Sequence, residues 1–340
     1  MFLYVSFPTW LKPEIIPGLP FRWYGAMYIV VIFITYLLFK TQVKEEKINM
    51  TDDDIYSLFL YTIIGALLGG RLIYTLIFEA SGMFRRQPWL IFWPFNEKMK
   101  FIGFSGMNYY GGLLGAIIGF VLYTRSKKLN VSQFGDMIAA AFPLGYSFGR
   151  LGNFINGELY GRITTAPWGM IFPHAKQFSA KLPWVQEIAA KINFPLPDPE
   201  AMVNLPRHPS QIYELFLEGV LLWLFLWFFI RKRKKLHGSI MAWYLIGYGI
   251  VRFFVDYLRM PIGKDFAIRL VSIDNPPSLL LTPWNFLLSQ IFCIPMILGG
   301  VLFLYYLKKN HSKEQEIEEM EKKKKVKRKR ELREQRKNKK

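Results

Sequence analysis

Arg252, Asp256 and Arg259 stand at i, i+4 and i+7 within one apolar stretch, a spacing that puts all three on one helical face. Arg71 and Arg150 lie in two other apolar stretches, and Asn153 follows Arg150 by about one turn. Charges in such segments are costly and usually face a bundle interior or a wet cavity. A guanidinium is a planar fork that pairs bidentately with phosphate or carboxylate. Several of them at headgroup depth argue for an anionic lipid phosphate. A plainer account, an ion pair along one helix that lowers the insertion cost of Arg252, explains Asp256 but leaves Arg71 and Arg150 unexplained.

Two further segments carry polar residues in a pattern. In GRLGNFINGELYGR (149–162), Asn156, Gly157, Glu158 and Gly161 should loosen the end of a helix. Irregular backbone at membrane depth is tolerated where it lines a cavity or is buried in protein. Its amides and the asparagine side chains would then be available to a ligand. In RHPSQIYE (207–214), Ser210 reads as a helix cap, with Pro209 and Glu214 fitting the early-turn pattern. That leaves Arg207, His208 and Gln211 at the interface, to orient a ligand or seal a chamber. Cys293 is the one cysteine, which excludes an intramolecular disulfide and a cysteine-based metal site. The four histidines show no metal-pair spacing.

The elements that hold these residues are apolar helices. Of 340 residues, 52% are hydrophobic and 20% charged. Seven windows approach spanning length, at about 23–39, 55–78, 106–123, 136–157, 211–230, 239–258 and 284–307. The expected fold is an all-α polytopic membrane protein of about seven transmembrane helices. Glycines recur at four-residue spacing in three of them (Gly65 and Gly69; Gly111, Gly115 and Gly119; Gly145 and Gly149), as close helix packing requires. No chemistry is assigned to these rows.

The stretches 40–54, 124–135 and 231–238 are short and rich in Lys and Arg, which places them in the cytoplasm. The N-terminus is then outside and the C-terminus cytoplasmic. In that topology Tyr24, Arg71, Tyr110, Arg150, Asn153, His208, Arg252, Asp256 and Arg259 all reach the outer half of the bilayer, as one polar chamber would require. Residues 1–307 form the membrane domain, with an extracytoplasmic cap at about 162–208 and a short helix near 181–192. The formal charge is +19, and residues 308–340 supply nine of those charges. That tail follows an apolar segment directly, so it is expected to hold the last helix on the cytoplasmic side against membrane lipids, with no nucleic-acid partner. The proline-broken N-terminus does not read as a cleaved signal peptide.

GRLGNFINGELYGR (149–162) resembles the signature of prolipoprotein diacylglyceryl transferases, and the similarity continues through RWYGAMY (22–28), GGRLIY (69–74), GMNYYGG (106–112), RHPSQIYE (207–214) and GYGIVRFFVDYLRMP (247–261). It runs in order along nearly all of 20–305, leaving out the cap and the tail. The resemblance implies a seven-span enzyme of the bacterial cytoplasmic membrane. Such an enzyme moves diacylglyceryl from phosphatidylglycerol to the lipobox cysteine of a prolipoprotein, without metal or other cofactor. It further implies that Arg150 contacts the lipid phosphate and that Arg252 joins it during transfer. Asn153, Glu158 and Gly161 would shape the site, and Tyr24 would lie near the reacting groups. Two positions depart from the commoner pattern. Tyr110 stands where many relatives have histidine, and Asp256 where glutamate is usual. A phenol is a weak base at neutral pH, so the thiol proton falls to Glu158, Asp256 or water. Arg71, Arg259 and His208 complete the expected lipid-binding set. The rival from another class is a transporter or flippase for an anionic lipid or solute, against which stands the lack of internal repeats.

Overall fold

A computed structural model of the chain describes residues 4–16, 21–78, 87, 91, 93, 106–196, 198, 200–260, 266–269 and 285–337. The seven apolar windows fall on seven helices. These are α1 (Trp23–Glu45), α2 (Asp52–Ile73), α3 (Tyr109–Ser126), α4 (Val131–Ile155), α6 (Ser210–Arg233), α7 (Ser239–Val255) and α8 (Leu288–Lys337), with the cap helix α5 at Pro183–Lys191 between α4 and α6. A helix satisfies its backbone internally, which an apolar segment in lipid must do. Among the described residues, four helical stretches are long and apolar enough to cross a membrane: Trp23–Glu45, Asp52–Ile77, Ser210–Arg233 and Leu288–Ser312. Ser239–Val255 is apolar but shorter. The stretches 79–105 and 259–283, expected from the Lys/Arg distribution to be outer loops, lie mostly outside the described residues.

Two compact units emerge: Met1–Thr35 with Ile138–Lys340, and Tyr36–Met137. In the second, α2 opens on a capping box. The Asp54 amide donates to Thr51 Oγ1 at 3.1 Å, and the Thr51 amide donates back to the Asp54 carboxylate at 3.2 Å. The glycine rows of α2 and α3 meet backbone to backbone. A Cβ on Gly115 would stand 2.0 Å from the Gly65 carbonyl oxygen, and one on Gly69 would stand 2.3 Å from that of Gly111. Packing is thus the role of these rows. Gly115→Ala should separate the two helices and lower the yield of folded protein in detergent, whereas Gly299→Ala, with nothing within 4 Å, should not. Equal yields would remove the close approach.

In the first unit, the cap core gathers Ile163, Trp184, Val185, Ile188 and Leu205, and α5 matches the expected short helix. The cap departs from an all-helical plan. Val5–Ser6 (β1) runs parallel to Met170–Ile171 (β2), and Phe178–Ser179 (β3) pairs antiparallel with Met202–Val203 (β4). Phe266–Arg269 (β5) pairs with Asn285–Leu287 (β6) farther along. Helix α8 continues into the basic tail, so residue 307 is not a helix boundary.

The placement of α6 beside α4 decides the site. Pro143 interrupts the bonding of α4, and Ser147 Oγ donates to the Leu215 carbonyl of α6 at 3.1 Å. A Cβ on Gly219 would lie 1.9 Å from Ser147 Oγ. A bare glycine there lets the two helices touch.

Candidate functional site

Helices α4, α6 and α7 bring six charged side chains together. From α4, Arg150 Nε donates to Tyr146 Oη at 2.6 Å and pairs with Glu214 Oε2 at 2.8 Å. From α7, Arg252 Nη1 reaches the same Glu214 oxygen at 3.3 Å and Glu218 Oε1 at 3.3 Å, while its Nε pairs with Asp256 at 3.1 Å. Arg259, just beyond α7, meets the other Glu214 oxygen at 3.1 Å and Asp256 at 3.4 Å. Tyr146 donates to Glu218 and links the two ends of the cluster. Glu214, Glu218 and Asp256 are buried. Arg150 and Arg252, on separate helices, converge on one oxygen.

Three arginines face three carboxylates, so the cluster sums to zero. The sequence reading expects arginines as the dominant charge, held open for a phosphate. The structure instead turns them first toward carboxylates from α6 and α7. The Arg252–Asp256 pair along one helix exists, but it is one edge of a network spanning three helices. Burying this many charges carries a desolvation cost that only full mutual pairing offsets.

Glu214, Glu218 and Tyr146 are the residues that sequence reasoning misses. It gives Glu214 only an early-turn role and passes over the other two. A signal was present: Glu214 and Glu218 are two acids at i, i+4 in an apolar helix, and such charges need cations.

Where α4 ends, Gly157 and Leu159 take left-handed backbone, with φ of 66° and 57°. Asn153 Nδ2 and Asn156 Nδ2 both donate to Glu158 Oε1, at 3.0 and 3.2 Å. Arg150 Nη1 touches Asn153 Oδ1 at 3.4 Å, which connects this exposed carboxylate to the buried cluster. The loosened helix end is therefore real. It is held by the head of α6, where Gln211 Nε2 donates to the Glu158 carbonyl at 2.6 Å and Ser210 Oγ to that of Leu159 at 2.9 Å. Ser210 is consequently not the helix cap. Pro209 occupies that position without a side-chain bond, and the Ser210 hydroxyl is committed to Leu159.

Gly161 marks a crossing of three segments. Its amide donates to the His208 carbonyl at 2.8 Å, and a Cβ would meet the Leu258 carbonyl oxygen at 2.4 Å. Arg207 is fully buried, donates to the Lys176 carbonyl at 2.9 Å and lies over Tyr160. It fastens the cap. His208 Nδ1 is 3.2 Å from Tyr213 Oη, and burial pushes its pKa from 6.5 down to about 4. A neutral imidazole meets an anion by hydrogen bonding alone.

Because folding depresses the His208 pKa, its stability contribution is complete above pH 6.5 and declines as pH falls toward 4. Thermal unfolding in detergent should therefore show an acid-side loss that His208→Gln diminishes. An unchanged profile in the variant would assign the loss elsewhere.

Tyr24, in the first turn of α1, bonds to Tyr28 through the hydroxyls at 2.9 Å, and its backbone passes Gly152 of α4. Arg71 and Tyr110 belong to the unit Tyr36–Met137. Arg71 is buried and donates to the Ile91 carbonyl at 2.6 Å and to that of Gly106 at 3.2 Å. Such bonding suits a chain fastener. Tyr110 is exposed near the start of α3, its ring 5.6 Å from that of Tyr109.

Residues 13–306 match the family model described as prolipoprotein diacylglyceryl transferase. A relative in Treponema pallidum, named phosphatidylglycerol–prolipoprotein diacylglyceryl transferase, is 42% identical over 92% of this chain and 98% of its own length. One of the same name in Treponema denticola is 43% identical, over 93% of this chain and 98% of its own. A third, in Chlorobaculum tepidum, is 36% identical over 90% and 95%.

Proposed function

The chain belongs to the prolipoprotein diacylglyceryl transferase family, and from that premise we propose that it moves a diacylglyceryl group from phosphatidylglycerol to a prolipoprotein cysteine. The observation that carries this reading is the convergence of Arg150 and Arg252 on one oxygen of Glu214. Cysteine sulfur, as thiolate, attacks the glyceryl carbon that bears the phosphate ester. The carbon–oxygen bond breaks, a thioether forms, and the electron pair leaves on the phosphate oxygen of glycerol phosphate.

The departing group gains one negative charge, so donors already aimed at it lower the barrier. Arg150 and Arg252 supply them. Their carboxylate partners hold both guanidiniums in position before lipid arrives. The long Arg150–Asn153 contact is the bond that a phosphate oxygen would most readily displace. Glu158 is exposed and steadied by two amides, whereas Asp256 is buried between Arg252 and Arg259. Glu158 therefore takes the thiol proton in this reading. Arg259 and Asp256 position the cluster, while Gly161 and His208 set its outer edge. Tyr24 lines the approach, and Arg71 holds its own unit together.

Seven spans with an external N-terminus and a cytoplasmic basic tail at 308–340 fit the seven helices and the Lys/Arg distribution. The chamber then faces the outer leaflet of the bacterial cytoplasmic membrane.

The test is purified protein with phosphatidylglycerol and a lipobox peptide, which should gain the mass of one diacylglyceryl unit. No gain, under conditions where a related enzyme works, would sink the proposal. Movement of lipid across vesicles without covalent product would favour a flippase. Tyr110 enters only through the family pattern. Tyr110→Phe should slow transfer by less than about ten-fold, since a lost general base typically costs a hundred-fold or more. A larger drop would bring the phenol into proton transfer.

A further inference from the structure

Tyr146 and Arg150 lie one turn apart on α4, so their side chains share a face. Arginine can only donate, which makes the Tyr146 hydroxyl oxygen the acceptor of the 2.6 Å bond from Arg150 Nε. The phenol proton is then left for Glu218, which accepts it. Arg252 donates to the same carboxylate from Nη1 at 3.3 Å. One hydroxyl thus completes a chain from Arg150 through Tyr146 and Glu218 to Arg252. Local packing builds it. Ser147 meets Gly219 where no Cβ intervenes, and the residues just before them, Tyr146 and Glu218, are brought together as a result. From α7, the Tyr248 ring stands edge-on to that of Tyr146 at 6.2 Å, while the Arg150 guanidinium carbon lies 4.8 Å from the Tyr146 ring centre.

A guanidinium can grip an oxyanion with two N–H groups along either of two edges, Nε with Nη2 or Nη1 with Nη2. Charge attraction to Glu214 alone would permit the group to turn between them. A hydrogen bond from Nε is directional and does not. With Nε committed to Tyr146 and Glu214, the first edge is closed. The second is open. Nη1 makes one long contact with Asn153 at 3.4 Å, Nη2 has no partner among the described residues, and 16% of the side chain is exposed.

We infer that Tyr146 is a positioning residue for group transfer, its hydroxyl fixing Arg150 so that the Nη1–Nη2 edge faces the lipid phosphate. It acts through Arg150, and its role rests on the transferase reading of that arginine.

The experiment uses full-length protein in phosphatidylglycerol nanodiscs with a lipobox peptide. Tyr146→Phe keeps the ring and loses only the oxygen. It should lower kcat by about ten- to a hundred-fold, the cost of a misplaced group, and leave the KM for the peptide unchanged. Tyr61→Phe, exposed on α2, should keep the unaltered rate.

The deciding readout is phosphatidylglycerol with sulfur replacing one non-bridging phosphate oxygen, supplied as two separate diastereomers. Sulfur is the weaker hydrogen-bond acceptor, so a fork held in one orientation should use one diastereomer about ten-fold faster than the other. Tyr146→Phe should bring the two rates close to parity. If the variant lowers both rates but keeps their ratio, Tyr146 merely supports the fold and the positioning role is rejected. Equal rates in the unaltered protein, or an unaltered kcat in the variant, would reject it as well.

A second measurement needs no turnover. In protein isotopically labelled at its arginine nitrogens, the proton resonance of Arg150 Nε–H, identified by its loss in Arg150→Lys, should move upfield in Tyr146→Phe. A resonance that stays in place would mean that Tyr146 does not hold the guanidinium, which also overturns the inference. If the unaltered protein modifies no peptide, the transferase reading fails, while the resonance still reports whether Tyr146 fixes Arg150.

Discussion

Glu214→Gln is expected to destabilise the folded protein by about 3–5 kcal/mol, the usual cost of removing one partner from a buried ion network. Arg150, Arg252 and Arg259 all pair with this carboxylate, whose side chain is 1% exposed. Its neutralisation leaves three guanidiniums against Glu218 and Asp256, and water cannot readily make up the deficit. A lower thermal midpoint in detergent and a smaller folded fraction would register the loss. Glu187→Gln is the comparison. Glu187 pairs with Lys191 on the exposed face of α5, with 66% of its side chain open, so its replacement should leave the midpoint unchanged. Equal midpoints for the two variants would mean that Glu214 does not carry the cluster.

Arg150→Lys has the largest expected effect on turnover, a loss of about a hundred-fold or more, the scale of removing one preorganised donor. Lysine keeps the charge but not the fork. Arg150 now serves Tyr146 and Glu214 from Nε and Asn153 from Nη1, and a single ammonium cannot hold all three in that plane. Charge is conserved, so the folded yield should fall far less than in Glu214→Gln. Arg125→Lys, on the exposed last turn of α3, should transfer diacylglyceryl at the unaltered rate. If Arg150→Lys matches it, Arg150 has no part in the reaction.

Much of the architecture is legible from residue patterns, for identifiable reasons. A segment that must satisfy its backbone inside lipid advertises itself by length and apolarity, so the helices fall where the windows predict. Glycines at four-residue spacing name the α2 and α3 faces that touch, because only a missing Cβ admits a carbonyl at that range. Arg150, Asn153 and Glu158 are found from the odd company they keep in an apolar stretch. Glu214 escapes because an acid near a helix start has an ordinary explanation, and Glu218 because its cation, Arg252, comes from another helix and leaves only the i, i+4 spacing to Glu214 as a sign. Ser210 misleads in the same way, as a serine after proline fits a cap while its hydroxyl in fact bonds to Leu159.

Patterning alone was thus sufficient to place the helices, to mark the glycine rows of α2 and α3 as packing faces, and to identify the family. Which carboxylate each arginine meets was settled in three dimensions. An ion pair between helices depends on their rotation and closeness, and both turn on local contacts such as Gly219 against Ser147, for which spacing along a single helix carries no record. The neutrality of the cluster is a property of α4, α6 and α7 together, because each contributes charges that it cannot balance alone.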